Sequence, residues 1–184
     1  MHPVADLSAG IGAPMMVVIG CGNLNRSDDA VGVRVIHRLR AEFGSALPPG
    51  VKLFDAGTAG MEVMFQARGA SALLIVDACR SGSEPGAVFC LPGSEINTAH
   101  QPSYTLHDFR WDHAVYAGRR IFGDAFPNDL TVFLVEAGSL ALGTELSEPV
   151  AQAALKVCAL VTERIRAWQA GLAAPLVELR QPIV

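Results

Sequence analysis

The chain has 184 residues, about half of them apolar (51%), which is enough to fill one core without disulfides. Its 14 basic and 18 acidic residues leave a formal net charge of -4, and no basic stripe with interleaved aromatics exists to neutralise a phosphate backbone, so nucleic acid is excluded as an expected partner. Cys21, Cys79, Cys90 and Cys158 form no C-x-x-C pair and no zinc spacing, which points to buried, reduced thiols in a cytoplasmic setting.

Residues 1–14 have neither a basic n-region nor a sustained apolar run, and no later stretch holds the roughly 18 uninterrupted apolar residues of a membrane-spanning helix. The expectation is one soluble, monomeric domain over 1–184, with loosely ordered arms at 1–14 and about 174–184.

Short apolar runs bounded by Gly, Asp or Pro predict strands at Met15–Gly20, Val51–Asp55, Ala72–Ala78, Ala87–Leu91 and Leu130–Val135. Between the first two, Val31, Val35, Ile36 and Leu39 recur at helical spacing, with Gly44 as a stop, so 29–43 reads as an amphipathic helix. A short helix is predicted at 61–68 and a third at 106–122. Pro149 opens a last helix over 150–168. Strands alternating with helices predict right-handed crossovers and a three-layer α/β sandwich with a mainly parallel sheet. The active site of such a fold lies outside the carboxyl ends of the strands, where strand order switches.

Three acidic residues fall at those ends. The loop Gly20-Cys-Gly-Asn-Leu-Asn-Arg-Ser-Asp-Asp29 follows the first strand, but it lacks the third glycine of a dinucleotide fingerprint and brings two carboxylates to the place where a phosphate would sit. A nucleotide-binding, flavodoxin-like domain is therefore disfavoured. Ser27 or Asp28 reads equally as an N-cap, leaving Asp29 to project into a cleft. Asp55 closes the second strand ahead of Ala-Gly-Thr-Ala-Gly, where it serves either an Asx-turn capping the short helix or a reaction. Asp77 ends the apolar run Leu73-Leu-Ile-Val76, and an ionised carboxylate emerging from a buried strand needs a metal or a strong donor. His107 begins the third helix and His113 lies six residues on; either can turn an imidazole over the strand ends, and either alone also reads as a satisfied histidine. Carboxylates with one imidazole make a site for a divalent metal whose identity the residues leave open.

In this order the motifs resemble those of the nickel-iron hydrogenase maturation endopeptidases: a G-x-G-N loop ending in two acids, a D-x-G-T-x-G turn, a VDA strand end, a His-bearing helix, and Leu146-Ser147 before the last helix. The likeness runs from about Met15 to Ile165. It implies an endopeptidase that recognises the nickel-loaded precursor of a hydrogenase large subunit and removes its C-terminal extension. By motif position, the resemblance makes Asp29, Asp77 and His107 the metal ligands, with nickel supplied by the precursor, and makes Asp29, Asp55 and Asp77 the residues of the reaction. Ala30 and Ala56 depart from the family pattern, as do the residues after His107 and the segment Val135-Glu-Ala-Gly. No G-x-S-x-G elbow, H-E-x-x-H helix or Cys–His partnership offers a covalent or zincin mechanism. A non-catalytic nickel-sensing or chaperone protein for the same precursor is the alternative.

Overall fold

The computed structural model describes residues 15–96 and 110–171; both arms expected from the sequence, and His107, lie outside these residues. The described chain builds one five-stranded sheet from β1 (Met16–Cys21), β2 (Val51–Gly57), β3 (Ala72–Cys79), β4 (Val88–Pro92) and β5 (Asp129–Glu136), in the order β2-β1-β3-β5-β4. All neighbours are parallel except β4, which runs antiparallel to β5 at the edge.

Four helices cover it. Helices α1 (Val31–Phe43) and α4 (Glu148–Gln169) lie on one face, and α2 (Gly60–Ala67) and α3 (Trp111–Phe122) on the other. Side chains of a strand alternate between faces, so Val18, Leu74 and Val76 pack under α1 and α4, while Val17, Ile19, Leu73 and Ile75 pack under α2 and α3. Because β1 is covered on both sides, all six of its residues are buried, and a continuous apolar run results where a half-exposed strand would alternate.

The sequence places these elements to within a few residues, and the differences are local. A turn of 3-10 helix, Ser27–Ala30, precedes α1, so the acid pair sits on a tighter coil than the α-helix expected from residue 29. Within the described residues α3 begins at Trp111, after an extended Arg110 with φ -89° and ψ 174°. Pro149 stands in the first turn of α4, where its missing N–H costs nothing. No helix among the described residues is long and apolar enough to cross a membrane.

The chain leaves β1 for β2 on one side and then crosses to β3 on the other, which makes the carboxyl ends of β1 and β3 the switch point. Here glycines let the helix and sheet backbones meet. A Cβ on Gly32 would stand 2.2 Å from the Val76 carbonyl oxygen and 2.4 Å from that of Cys21. Backbone cannot retreat as a flexible side chain can, so Gly32→Ala is expected to cost at least about 2 kcal/mol, read as a fall in the urea midpoint at unchanged m-value. A variant as stable as the parent would mean that α1 sits farther from β3 than described.

Candidate active site

The loop from β1 to α1 is held by an acid that does not face the cleft. Asp28 is fully buried. Its Oδ2 accepts the N–H groups of Gly138 (2.9 Å) and Ser139 (2.8 Å) and the Ser147 hydroxyl (2.9 Å), and its Oδ1 accepts the Ser147 N–H at 2.6 Å. The expected local cap is therefore corrected: neither Ser27 nor Asp28 caps the helical turn they open, whose N-cap is Arg26. Asp28 instead fastens this loop to the loop after β5. Main-chain bonds from Ser27 to Gly143, from Asp28 to Ser139 and from Gly143 to Asn25 complete the fastening. Ser27, with φ 43°, takes a backbone conformation that few non-glycine residues adopt, held by these bonds.

Asp29 then points the other way. Its Oδ2 accepts the Asn23 N–H at 3.0 Å, closing the G-x-G-N turn on itself. Gly22, at φ 131°, lies so close beneath the Asp29 carbonyl that a Cβ there would come within 1.8 Å of that oxygen. The glycines of this loop thus serve close backbone approach.

Asp77 lies one residue beyond the paired section of β1 and β3, on the face covered by α2 and α3. It is 6% exposed. The Ala78 N–H donates to its Oδ1 at 2.8 Å, and the Arg110 guanidinium lies 3.5 Å from its Oδ2. Burial pushes the carboxyl up to about 6; Arg110 opposes the rise, followed by the Ala78 N–H, while the Asp29 charge adds to it. Two acids that feel each other across a cleft, one of them desolvated, form a place where positive charge is wanted.

The cleft has a volume of about 220 Å³ and is lined, among the described residues, by Asp29, Asp77, Cys21, Arg110, Trp111 and the turn Gly57-Thr58 with Gly60. The buried Trp111 indole N–H points to Asp77, short of full hydrogen-bond geometry, and works with Arg110 and the Ala78 N–H against the rise of that carboxyl. Among the described residues no three His, Cys, Asp or Glu side chains gather as a metal cage, so what they offer a cation is two carboxylates and an open side. Burial first, and the Asp77 charge second, push the Cys21 thiol well above its ordinary range, leaving it a neutral wall of the cleft.

Asp55 is not among the residues lining the cleft. Its Oδ1 accepts the Gly57 N–H at 2.9 Å, which is an Asx-turn, and its Oδ2 lies 2.8 Å from His37 Nε2. The expected cap on the short helix is absent, since α2 has Ala59 at its N-cap; the carboxylate shapes the turn that forms the cleft's rim. His113 accepts the Arg110 N–H on Nδ1 at 3.2 Å, an N-terminal cap of α3, and does not line the cleft.

Three residues at this end were not singled out from the sequence. Arg110 and Trp111 follow His107, and only the departure of that segment from the family pattern marked them. Glu136, in the other departing segment, is 3% exposed and gathers the N–H groups of Ser81 and Gly82, the Ser81 hydroxyl and the Cys79 thiol. Burial would raise Glu136, but these donors hold it below the usual range. Cys79 is pushed up to about 12 by burial and by its bond to Glu136. Glu136 thereby ties the loop after β3 to the end of β5.

Residues 33–164 match the sequence model of the hydrogenase maturation proteases. The chain belongs to that family. A member from Escherichia coli (strain K12), hydrogenase 2 maturation protease, is 32% identical over 126 residues, covering 68% of this chain and 74% of that one. The hydrogenase expression/formation protein HoxM of Azotobacter vinelandii is 29% identical over 140 residues, and the match covers 75% of this chain and 66% of HoxM's length. Among solved structures, the hydrogenase maturating endopeptidase HybD of E. coli superposes with a TM-score of 0.69 at 28% identity, covering 83% of this chain and 92% of HybD. The [NiFe] hydrogenase maturation protease HycI of Thermococcus kodakarensis gives 0.66 at 25% identity, covering 84% and 94%. The family's fold is thus this mainly parallel sheet with helices on both faces.

Proposed function

We propose that this chain is an endopeptidase that recognises the nickel-loaded precursor of a hydrogenase large subunit and removes its C-terminal extension. The observation that carries the reading is the cleft between the ends of β1 and β3. Asp29 and Asp77 from separate strand ends share it in a chain that belongs to the maturation protease family. The nickel is the precursor's own cargo, and the donor set suits that role, because two carboxylates with an open side lend ligands to a metal already held elsewhere better than they cage a free one. His107 is the proposed third ligand from this chain.

The scissile bond is then fixed beside the carboxylates by the metal it is tethered to, and a water held by the ligand-free oxygen of one acid is the nucleophile. In the metal-free protein the Asp77 carboxyl, raised to about 6, is still mostly ionised at neutral pH, so its charge is available to an arriving cation. Asp55 supports the reaction at one remove, by shaping the Gly57-Thr58 turn against which the peptide lies.

The test uses purified precursor prepared with and without nickel and follows loss of the C-terminal peptide. Cleavage of the loaded form alone is expected. Equal cleavage of both would leave a peptidase that reads sequence only, and capture of loaded precursor without cleavage would make the chain a nickel-sensing assembly protein.

A further inference from the structure

We infer that Arg110 is a specificity-determining residue of this cleft: in the free protein its guanidinium holds the place beside Asp77 Oδ2 that a bare divalent cation would need. This deepens the reading given above and rests on it.

One oxygen of the Asp77 carboxylate accepts the Ala78 N–H, which leaves the other as the better donor to a cation entering the cleft, and that is the one Arg110 faces at 3.5 Å. The arginine is built to cover it and to leave. Its main chain is fixed, extended at the N-cap of α3 with its N–H on His113 Nδ1, while its side chain is 62% exposed and reaches the cleft from solvent. A long side chain anchored at its base and largely hydrated can swing aside without disturbing the helix.

Charge decides what displaces the arginine. A hydrated dication brings two positive charges to a guanidinium a few ångströms away and must evict it against repulsion. A metal carried in an anionic ligand set arrives with its charge offset, and the guanidinium then stays near as a partner to that set's anionic atoms. The residue therefore disfavours loose metal and favours metal presented by a precursor, which gives discrimination by repelling the wrong ligand.

The experiment is a calorimetric titration of the metal-free full chain with nickel chloride, using wild type, Arg110→Ala, Arg110→Gln, Arg110→Lys, Asp77→Asn and the Arg110→Ala/Asp77→Asn double variant. Circular dichroism checks each fold, and the polar, uncharged Gln variant serves if Ala disturbs α3. The neutral variants should bind nickel on the order of tenfold tighter than wild type. Arg110→Lys should stay near wild type, and Asp77→Asn should cancel the gain. Neutral variants that bind nickel no more tightly than wild type, while Asp77→Asn weakens binding, would overturn the role of Arg110 and leave the carboxylate site standing. Binding indifferent to Asp77 in both backgrounds would overturn the gate together with the site beneath it. Because the titration needs no cleavage, a failure of the endopeptidase reading registers separately, in the precursor assay.

Discussion

Asp77→Asn is expected to yield a protein that is more stable at neutral pH and has lost processing by at least about a hundredfold. Both effects come from one desolvated carboxylate. Its folded-state value of about 6 lies above the ordinary 3.8, so folding prefers the protonated acid. The penalty is absent below about pH 4, grows as pH rises through the interval, and is complete above about pH 6. A two-unit shift, with the attraction of Arg110 already inside it, corresponds to about 3 kcal/mol at most, and the buried asparagine amide, which needs partners of its own, offsets part of that. Urea unfolding of the metal-free protein should therefore show wild type and variant equally stable near pH 4 and the variant about 1–2 kcal/mol ahead at pH 8. The asparagine still accepts the Ala78 N–H, so the strand end keeps its shape while the negative charge is gone. A variant less stable than wild type at pH 8 would mean that Asp77 is satisfied as an ion by its protein partners, and the case for a cation there would fall with it.

The parts of this site legible in the sequence are those set by strand geometry. A run such as Leu73-Leu-Ile-Val76 is buried on both faces, so the residue that ends it emerges toward the carboxyl end of the sheet, and Asp77 could be placed there from the run alone. The same holds for Asp29 after β1 and for the switch point between β1 and β3. What could not be read were the contacts between loops far apart in sequence. Asp28 bonds to residues 110–119 positions away, so its spacing fits an ordinary N-cap, and only the folded loops show which donors it serves. Likewise, Glu136 closes an apolar strand much as Asp77 does, yet it collects four donors from the end of β3 and the loop after it, where Asp77 has the Ala78 N–H, a loosely placed indole N–H and a distant guanidinium. The difference lies in which loop stands opposite each strand end, which periodicity does not encode. Asp55 illustrates the same limit from the other side: its turn was readable from Ala-Gly-Thr-Ala-Gly, whereas its partner His37 comes from the middle of α1.

Asp28→Ala should be the most destabilising substitution at this end of the protein, although Asp28 does not line the cleft. The change leaves the N–H groups of Gly138, Ser139 and Ser147 and the Ser147 hydroxyl without their acceptor, around a position with no exposure to solvent. A buried donor left unpaired costs about 1–3 kcal/mol, and the costs do not add fully because the loops can part and admit water. A loss of about 3–5 kcal/mol is expected, a large share of the 5–15 kcal/mol that holds a typical domain. Asp28→Asn should fall between: its carbonyl oxygen still accepts from one side, but its amide group turns donors toward donors on the other. Processing should drop in both variants even at temperatures where they remain folded, because Asp29 is the next residue and its aim depends on the loop that Asp28 pins to residues 138–147. Urea unfolding reads the first effect, and cleavage of nickel-loaded precursor at low temperature reads the second. If Asp28→Ala unfolded with wild-type stability, the four donors would have other acceptors, and the positioning of Asp29 would have to be sought in the Asn23 N–H alone.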